Sequence, residues 1–350
     1  MKKHINLLNA LILALLLLPA FSYADDDVEK KRAINKSYTV TSSDKLSIEN
    51  SFGNVVISTW DKNEIKVDIE IGVRASSDQK AQQMLDEIEV RDSRDGNTIS
   101  FKTEIGDMNE RGYNKKHNRN EDHPNRDGDN DGERKFYIDY KVYMPAVNPL
   151  NVENSFGKTT VPDLKGEVNL TSKFGSLTTG KLDNVDEIDV EFGTASLGPV
   201  HNGDITFKFN GKSQIASVSG NVKIKSEFSG NVQFDVDNSI EELTLYESYS
   251  TIKMKVTKAL SANFDVHTSF GSFHNNTDFN IKEQKEDDDN GPRFDKDYSG
   301  KAGDGKAKIK IKSSFGNVHV SDNNNSTSSN DDEDDEKEEK HKAKKAKASI

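Results

Sequence analysis

The residues best suited to bind a metal ion form an aspartate-rich stretch in the first half of the chain. Asp127, Asp129 and Asp131 alternate ahead of Gly132, as the first ligands of a calcium-binding loop do. Such a loop needs a glutamate six residues after the glycine, which binds the ion through both carboxylate oxygens, but Ile138 stands there. Two interpretations remain, a weak calcium site and a solvated acidic loop, and the missing glutamate favours the second.

Histidine and cysteine usage speaks against a metal or cofactor site elsewhere. No two histidines beyond residue 24 have the spacing of zinc ligands, although His117 and His123 share a polar stretch that would bind a metal opportunistically. The absence of cysteine excludes disulfides, a thiol nucleophile, an iron–sulfur cluster and a cysteine zinc site. We therefore predict no cofactor, and no metal beyond the weak calcium candidate. The histidines are His117, His123, His201, His267, His274, His319 and His341.

One pair of carboxylates, Asp189 and Glu191, is close enough in sequence for the acid–base chemistry of glycosidic bonds. Lys173 and Lys208 stand about one repeat before and after this pair, so the four charges are better explained as cross-strand ion pairs. The chain also lacks a Gly-x-Ser-x-Gly elbow and a phosphate-binding glycine loop. The sequence therefore predicts that the protein is not an enzyme and has no catalytic residue.

A repeated segment organises the chain that carries these residues. Between Leu150 and Ile281 a strand-like sequence motif recurs, and each copy ends in an aromatic residue, usually followed by glycine or another small residue. Successive aromatics lie 18, 18, 17, 19, 21 and 21 residues apart, a regularity typical of repeat architectures. The motif occurs once more upstream, around Phe52, and once downstream, around Phe315. The nine aromatics are Phe52, Phe156, Phe174, Phe192, Phe209, Phe228, Tyr249, Phe270 and Phe315.

Apolar and polar residues alternate before each aromatic, as they do along a β-strand. Val222, Ile224 and Phe228 are expected on one face, and the alternation resumes after the corner with Val232 and Phe234. Each coil is then two strands hinged at a corner, where the glycine would take a conformation closed to other residues. A single coil buries too little to be stable, so coils must stack about 4.8 Å apart and pile their rings into a shared column.

The predicted fold is therefore all-β, a single-stranded β-helix or β-solenoid of about 18–21-residue coils with one short helix in its N-terminal part. The position two residues before the aromatic is usually small and polar. Stacked polar side chains there would hydrogen-bond along the column, or the strand would bend and turn them to water. Both interpretations remain open. These residues are Asn50, Asn154, Ser172, Ser226, Thr268 and Ser313.

Composition limits the classes of protein that fit. Of the 350 residues, 32% are hydrophobic and 31% charged, which is too polar for two ordinary globular domains and suits a slender repeat protein with disordered segments. The formal net charge is -12, and it becomes -14 once Lys2 and Lys3 are removed with a signal peptide. Such an acidic chain is not expected to bind nucleic acid.

Charge runs and patterning divide the chain into segments. Lys2 and Lys3, the apolar run 7–18 and the small residues Ser22 and Ala24 predict a signal peptide cleaved after Ala24, with no transmembrane segment in the mature chain. The predicted segments are a signal peptide (1–24), a charged leader without periodicity (25–36), N-terminal strands with a helix at 76–87 capped by Ser77 (37–105), a mobile polar insertion (106–134), the solenoid repeats (135–282), a second disordered insertion (283–306), a final coil (307–322) and a disordered acidic, then basic, tail (323–350).

Three motifs carry a resemblance to a known family. Ile48-Glu49-Asn50-Ser51-Phe52-Gly53-Asn54-Val55, Val152-Glu153-Asn154-Ser155-Phe156-Gly157 and Ser314-Phe315-Gly316-Asn317-Val318 resemble the bacterial putative-adhesin family of β-strand-repeat envelope proteins. The helix-and-strand insert at 76–103 is also similar, so the likeness spans most of the mature chain outside the insertions and the tail. The resemblance implies a toast-rack-like, single-stranded β-helical fold on a secreted protein, and it transfers fold better than function.

The sequence as a whole predicts a secreted bacterial envelope protein that acts as a non-catalytic binding or structural module, with an adhesin-like role. It would cross the inner membrane and reside in the periplasm or at the cell surface. Its partner would be a surface ligand, either protein or polysaccharide, and its oligomeric state is left open. The alternatives are a periplasmic scaffold or envelope-stress component and, less favoured, a carbohydrate-active β-helix enzyme.

Overall fold

The structure is a computed structural model that describes residues 27–106, 136–284 and 294–322. The predicted signal peptide, most of the 106–134 insertion with its calcium candidate, and the 323–350 tail lie outside these residues. Within them the protein is all-β with one helix, and every strand belongs to one continuous hydrogen-bonded sheet. No helix in this part of the chain is long and apolar enough to cross a bilayer.

The elements fall into three groups along the chain. The N-terminal group is β1 (Val28–Thr39), β2 (Lys45–Ser51), β3 (Val55–Thr59), β4 (Glu64–Ala75), α1 (Asp78–Asp86), β5 (Ile88–Asp95), β6 (Thr98–Ile105) and β7 (Phe136–Met144). The repeats are β8 (Leu150–Ser155), β9 (Lys158–Val161), β10 (Val168–Lys173), β11 (Ser176–Thr179), β12 (Val185–Glu191), β13 (Thr194–Leu197), β14 (Val200–Lys208), β15 (Lys212–Glu227), β16 (Asn231–Ser248) and β17 (Thr251–Val256). The C-terminal group is β18 (Ala262–Ser269), β19 (Ser272–Asn276), β20 (Asn280–Gln284), β21 (Asp295–Ala302), β22 (Ala307–Ser314) and β23 (Asn317–Asp322).

The repeats pair in parallel, each strand with the equivalent strand of the next repeat. The strands that precede an aromatic residue form one ladder, in which Leu170 of β10 stands between Val152 of β8 and Ile188 of β12. The strands that follow an aromatic form a second ladder, in which Leu177 of β11 stands between Thr159 of β9 and Ala195 of β13. The pairing is residue for residue in the segments that lead into the aromatics, with register shifts further back in β12, β14, β15 and β16, so equivalent side chains near the aromatics lie over one another.

The core lies between the two ladders and follows the alternation of each strand. In β10 the burial alternates strictly, so that Val168, Leu170 and Ser172 are buried while the residues between them are partly exposed. The N-terminal group adds two large buried rings, Phe101 and Tyr140, to Phe207 and Phe234 of the repeats. This inward face is the physical reason that coils with so few apolar residues fold, since each coil is covered by its neighbours on both sides.

The helix agrees with its sequence signal. It runs over Asp78–Asp86, and the Ser77 hydroxyl accepts a hydrogen bond from the Lys80 amide at 3.3 Å, as an N-cap does. Ala81 and Leu85 on its inner side are buried. The helix and its cap are thus confirmed within a residue or two of the predicted ends.

The expected charged leader is wrong for residues 28–36, which belong to β1. This strand pairs antiparallel with β4 along its whole length. Its lysines are matched by acids on neighbouring elements, with Lys30 Nζ 3.0 Å from Asp78 Oδ2 and Lys36 Nζ 3.0 Å from Asp92 Oδ1. Side-chain periodicity is weak here because the partly buried face mixes Lys30, Arg32 and Lys36 with Ile34 and Tyr38, and only the last two pack against the core. Backbone pairing with β4 and surface ion pairs also hold the strand in place.

The second insertion is also partly wrong. Residues 285–293 lie outside the described residues, but β21 follows them and pairs antiparallel with both β18 and β20. The last coil is displaced as well. β22 pairs in parallel with β16 on one side and β18 on the other, and β23 lies in the same way between β17 and β19. The final strands of the chain therefore insert into the stack before the Phe270 repeat, not after it.

Candidate functional site

The nine predicted aromatics lie in one stack along the edge where the two ladders meet. We call this set the aromatic row; its order is Phe52, Phe156, Phe174, Phe192, Phe209, Phe228, Tyr249, Phe315 and Phe270. Neighbouring ring centroids are 4.8–5.4 Å apart, and neighbouring ring planes deviate from parallel by 1° to 8°. The strand insertion described above is what puts Phe315 between Tyr249 and Phe270.

The row lies on the outside of the protein, whereas the sequence interpretation placed its rings in the apolar core. From Phe174 onward the rings are between 48% and 54% exposed. The reason is the backbone of the ring-bearing residues themselves, which have φ angles of 48° to 62° at all nine positions. This left-handed conformation ends the strand alternation, so the ring leaves the inner face and points out at the corner.

The glycine after the aromatic therefore has a different role from the one expected. Gly157 and Gly175 are not in the left-handed region; the aromatic before each of them is. A Cβ on Gly175 would lie 1.9 Å from the Gly157 carbonyl oxygen, and a Cβ on Gly157 would lie 1.7 Å from the Gly53 carbonyl oxygen. Glycine is required here because the backbone of one repeat packs directly on the next.

Ring faces within the row are covered and ring edges are exposed. Each inner ring is stacked on both sides, and the two ends are also closed. Phe136 packs against Phe52 at an interplanar angle of 60°, and Phe294 stacks on Phe270 at 4.7 Å. The row is therefore a narrow apolar ridge that offers ring edges along its length, and Phe294 at its end is 57% exposed.

Charged residues stand directly before four consecutive rings of the row. They are Lys173, Glu191, Lys208 and Glu227, which are cross-strand neighbours in that order. Lys208 Nζ is 3.1 Å from Glu191 Oε1, and Lys173 Nζ is 4.0 Å from Glu191 Oε2. One flank of the ridge thus carries charges that alternate in sign from one repeat to the next.

The structure brings Asp189 and Glu191 together with both predicted lysines. Lys208 Nζ lies 3.9 Å from Asp189 Oδ2 while it donates to Glu191, and the hydrogen bond to Glu191 raises the pKa of Lys208. Burial raises the pKa of Asp189, and the Lys208 charge acts in the opposite direction. Both carboxylates thus share a counter-ion, and the arrangement is that of a cross-strand ion-pair network.

Beneath the row runs a column of buried polar side chains. All six small polar residues predicted two positions before an aromatic are at most 2% exposed, so they do not face water. Asn50 Nδ2 donates to Asn154 Oδ1 at 3.1 Å, and Asn154 Nδ2 donates to the Gly53 carbonyl at 3.1 Å. Burial excludes the solvated bend, and hydrogen bonding along the column is found between Asn50 and Asn154 but not at Ser172, whose buried hydroxyl has no partner among the described residues. The column is interrupted at Val190 and Phe207, where the equivalent positions are apolar.

Glu247 occupies the same position two residues before Tyr249 and was missed by sequence reasoning. It is 4% exposed, and its carboxylate accepts hydrogen bonds from the Ser250 amide at 2.6 Å and from the Ser313 hydroxyl. Burial raises the pKa of Glu247, while the hydrogen bonds act in the opposite direction. The available signal was the alternation of Leu243, Leu245 and Glu247, which directs the carboxylate inward.

Other candidate groups are scattered. Among the described residues no three histidine, aspartate or glutamate side chains are grouped to hold a metal ion. His274 stacks on His319 at 4.6 Å, and His267 Nδ1 is 2.8 Å from Asp297 Oδ1. The calcium candidates Asp127, Asp129 and Asp131, with His117, His123 and His341, lie outside the described residues.

A shallow cavity of about 400 Å³ lies beside Trp60 and is also lined by Asn63, Val147 and Lys165. The indole is stacked on Tyr143 at 5.4 Å, and the Lys62 ammonium lies 4.6 Å from the ring centroid. The indole Nε1 donates to the Glu64 carbonyl at 2.7 Å. Trp60 is thus occupied by its own neighbours at a strand end.

No family model matches the chain. No curated protein matches it either. Solved structures do, and they are named as cell adhesion proteins and putative adhesins. One is a putative cell adhesion protein from Clostridium sporogenes, at 10% identity and a TM-score of 0.29, with 84% of this chain and 100% of that chain covered. Another is a putative adhesin from Bacteroides fragilis, at 12% identity and a TM-score of 0.30, with 83% and 98% covered.

A putative lipid binding protein from Parabacteroides distasonis is also similar, at 12% identity and a TM-score of 0.26, with 83% of this chain and 96% of that chain covered. The adhesin names agree with the putative-adhesin family that the Ser-Phe-Gly motifs resemble. Likeness at these identities and TM-scores says nothing of a ligand.

Proposed function

We propose that this protein is a non-catalytic, adhesin-like binding module that is secreted to the bacterial envelope. The observation that carries the proposal is the aromatic row, a continuous ridge of ring edges that are about half exposed over seven consecutive repeats. Monomeric soluble proteins seldom expose apolar side chains in so long an uninterrupted line, and such patches commonly mark interaction surfaces.

We also propose that the parallel ladders form a β-solenoid. Residue-for-residue pairing of β10 with β8 and of β11 with β9 supports this, as does the strict alternation of burial along β10. A solenoid presents one long surface in which the same chemistry recurs at every coil, which suits attachment through many weak, equivalent contacts. The signal peptide at 1–24 remains part of the proposal, with the periplasm or the cell surface as the destination.

The carbohydrate-active alternative is disfavoured by the surroundings of Asp189 and Glu191. A glycosidic pair needs one carboxyl that is held neutral and a second that is free to act on the sugar. Here Lys208 contacts both carboxylates, and Glu191 is engaged by Lys173 as well. All four residues are thus engaged in ion pairs within the sheet.

The adhesin role is tested with a strain that lacks the gene, complemented either by the natural chain or by a variant with Phe174→Asn, Phe192→Asn and Phe228→Asn. Asparagine tolerates the left-handed backbone, so the variant removes rings without adding strain. Attachment to abiotic and host surfaces should fall at least severalfold. Val147→Asn, which alters an exposed apolar residue away from the row, is the matched control and should attach normally.

Protease treatment of intact cells separates the adhesin from a periplasmic scaffold. A surface protein should be cut in the polar 106–134 segment, whereas a periplasmic one should be cut only after the outer membrane is opened. Equal attachment by the natural, ring-deleted and gene-deleted strains, on every surface tested, would count against an adhesin.

A further inference from the structure

We infer that the aromatic row is a homophilic interface, on which a second copy of this chain docks antiparallel about a two-fold axis near Phe192 and Phe209. The inference deepens the proposed function, since it names the partner of the ridge, and to that extent it rests on that function. Its evidence is the geometry of the rings and the order of the charges beside them.

The exposed ring edges favour a partner that packs by shape. Sugars bind aromatic residues by stacking on ring faces, and along the row the faces of the inner rings are covered by the neighbouring rings. A partner must instead cover a straight apolar ridge that rises and falls every 4.8–5.4 Å. The row of a second copy has the same repeat by construction, so the two ridges stay in step along their length.

Charge decides the orientation. Directly before Phe174, Phe192, Phe209 and Phe228 stand Lys173, Glu191, Lys208 and Glu227, which read plus, minus, plus, minus. Read backwards, the order is minus, plus, minus, plus. A second copy that runs antiparallel therefore sets Glu227 against Lys173 and Lys208 against Glu191, so that all four positions meet the opposite sign.

The other flank of the ridge is compatible with this arrangement. Its positions after the rings hold Ser176 in β11, Thr194 in β13 and Lys212 in β15, all in register. Antiparallel docking sets Lys212 opposite Thr194, and like charges do not meet. A two-fold axis across the row also brings each flank against its own counterpart and closes the assembly as a dimer. A two-fold axis along the row would instead set the flank of alternating charges against the flank that holds Ser176, Thr194 and Lys212.

The decisive experiment uses two charge-reversed forms of the full chain, Lys173→Glu and Glu227→Lys. Sedimentation velocity of the natural chain should show a concentration-dependent dimer. Each variant alone places like charges opposite one another across the interface and should dissociate at least tenfold more readily. An equimolar mixture of the two should recover the natural affinity, since each copy then meets its complement.

Recovery of dimer affinity on mixing can arise only from contacts between copies. Lys173 and Glu227 stand three repeats apart in one chain, and mixing does not alter any contact within either variant. Lys223→Glu and Asp204→Lys provide the control, since they reverse an exposed ion pair of 2.7 Å further from the row and should leave dimerisation unchanged, alone and mixed. Circular dichroism should show that all four variants are folded. Phe192→Asn with Phe209→Asn should abolish the dimer.

A natural chain that stays monomeric at hundreds of micromolar would overturn the inference and assign the row to another partner. So would a mixture that dimerises no better than its components. Neither result touches the adhesin proposal, which the attachment assay tests separately. If Lys173→Glu cells attach to surfaces normally but no longer attach to one another until mixed with Glu227→Lys cells, homophilic contact is confirmed.

Discussion

Two stretches of the aromatic row reach the same geometry by different chemistry. From Phe156 to Phe192 each ring is followed by glycine, and the corners are held by backbone packing on backbone. From Phe209 to Tyr249 each ring is followed by Asn210, Ser229 or Ser250, and the corners are held by buried side-chain hydrogen bonds. The ring-bearing residues have φ angles of 48° to 58° across the two stretches.

The difference shows that stacking between repeats sets the position of the ring. The residue after the ring has to do only one of two things: avoid a clash with the neighbouring backbone, or form hydrogen bonds with backbone groups at the corner. In the polar stretch Asn210 does the second of these. Its Oδ1 accepts from the Gly193 amide at 2.9 Å, and its Nδ2 donates to the Val190 carbonyl at 3.0 Å. The Asn210 side chain thus connects its repeat to the preceding one by hydrogen bonds. In the glycine stretch, the backbones of neighbouring repeats touch directly instead.

The strongest test of this comparison is Gly175→Ala in the glycine stretch. The new Cβ would lie 1.9 Å from the Gly157 carbonyl oxygen, and two repeats would have to separate to admit it. We expect a loss of about 3 kcal/mol in the free energy of unfolding, measured by urea denaturation. Gly211→Ala is the matched control, since a Cβ there meets no atom within 4 Å. A loss of similar size in both variants would contradict the packing explanation.

In the polar stretch the corresponding test is Asn210→Ala. The substitution leaves the Gly193 amide and the Val190 carbonyl without their buried partner, which should cost about 2 kcal/mol. Urea denaturation again measures it. Asn231→Ala, at an exposed position of β16, should change stability little. If Asn210→Ala proves as stable as the natural chain, the hydrogen bonds do not hold this corner.

A smaller effect is expected from the rings themselves. Phe192→Asn removes two stacking contacts, at 4.9 Å and 4.8 Å, from a ring that is 48% exposed. Asparagine tolerates the left-handed φ, so the loss should be about 1 kcal/mol by thermal unfolding. Phe207→Ala, two residues before the next ring and fully buried, should cost about 4 kcal/mol. Equal losses would mean that the row is a core element and not an outer surface.

The smallest effect concerns Glu247 and depends on pH. Burial raises its pKa above the ordinary value of 4.5, so the folded state binds the proton more tightly than the unfolded state does. Stability from this group is greatest below the ordinary pKa and declines as pH rises through the raised pKa. Glu247→Gln should therefore match the natural chain in stability at pH 4. At pH 7 the variant should melt about one or two degrees higher, which corresponds to a change of less than about 1 kcal/mol in the free energy of unfolding.

Calorimetry across that pH range supplies the measurement. Glu242→Gln, on the exposed side of the same strand, should leave the pH profile unchanged. A Glu247→Gln variant that loses stability at neutral pH would show instead that the ionised carboxylate is needed by Ser250 and Ser313.

Sequence patterning predicted much of this architecture for identifiable reasons. The regular spacing of the aromatics placed all nine rings in equivalent positions, because stacked repeats bring equivalent residues together. The cap residue Ser77 located the helix, since its hydroxyl has a local partner in the Lys80 amide. The buried polar column was one of two alternatives, because a small polar residue fits an inner column and a solvated bend equally well.

The misplaced features depend on contacts between distant parts of the chain. β1 has few apolar residues on its partly buried face and is paired along its length with β4. Local alternation directs Glu247 inward, but its hydrogen-bond donor Ser313 stands 66 positions later in the chain. The candidate interface could be predicted only in part. The spacing identified its rings, but their exposure follows from the left-handed φ of the ring-bearing residues, which neither composition nor repeat period predicts.

By itself the sequence determined the period, the inward face of each strand and the residues of the row, because these depend on local alternation and on equivalence between repeats. Tertiary structure decided the order of the last strands and the outward turn of the rings. The backbone hydrogen bonds between parallel strands are nearly the same whichever strands are paired, so they do not determine the order of the coils in the stack. Long-range contacts such as Ser313 to Glu247 select the one order in which β22 lies between β16 and β18.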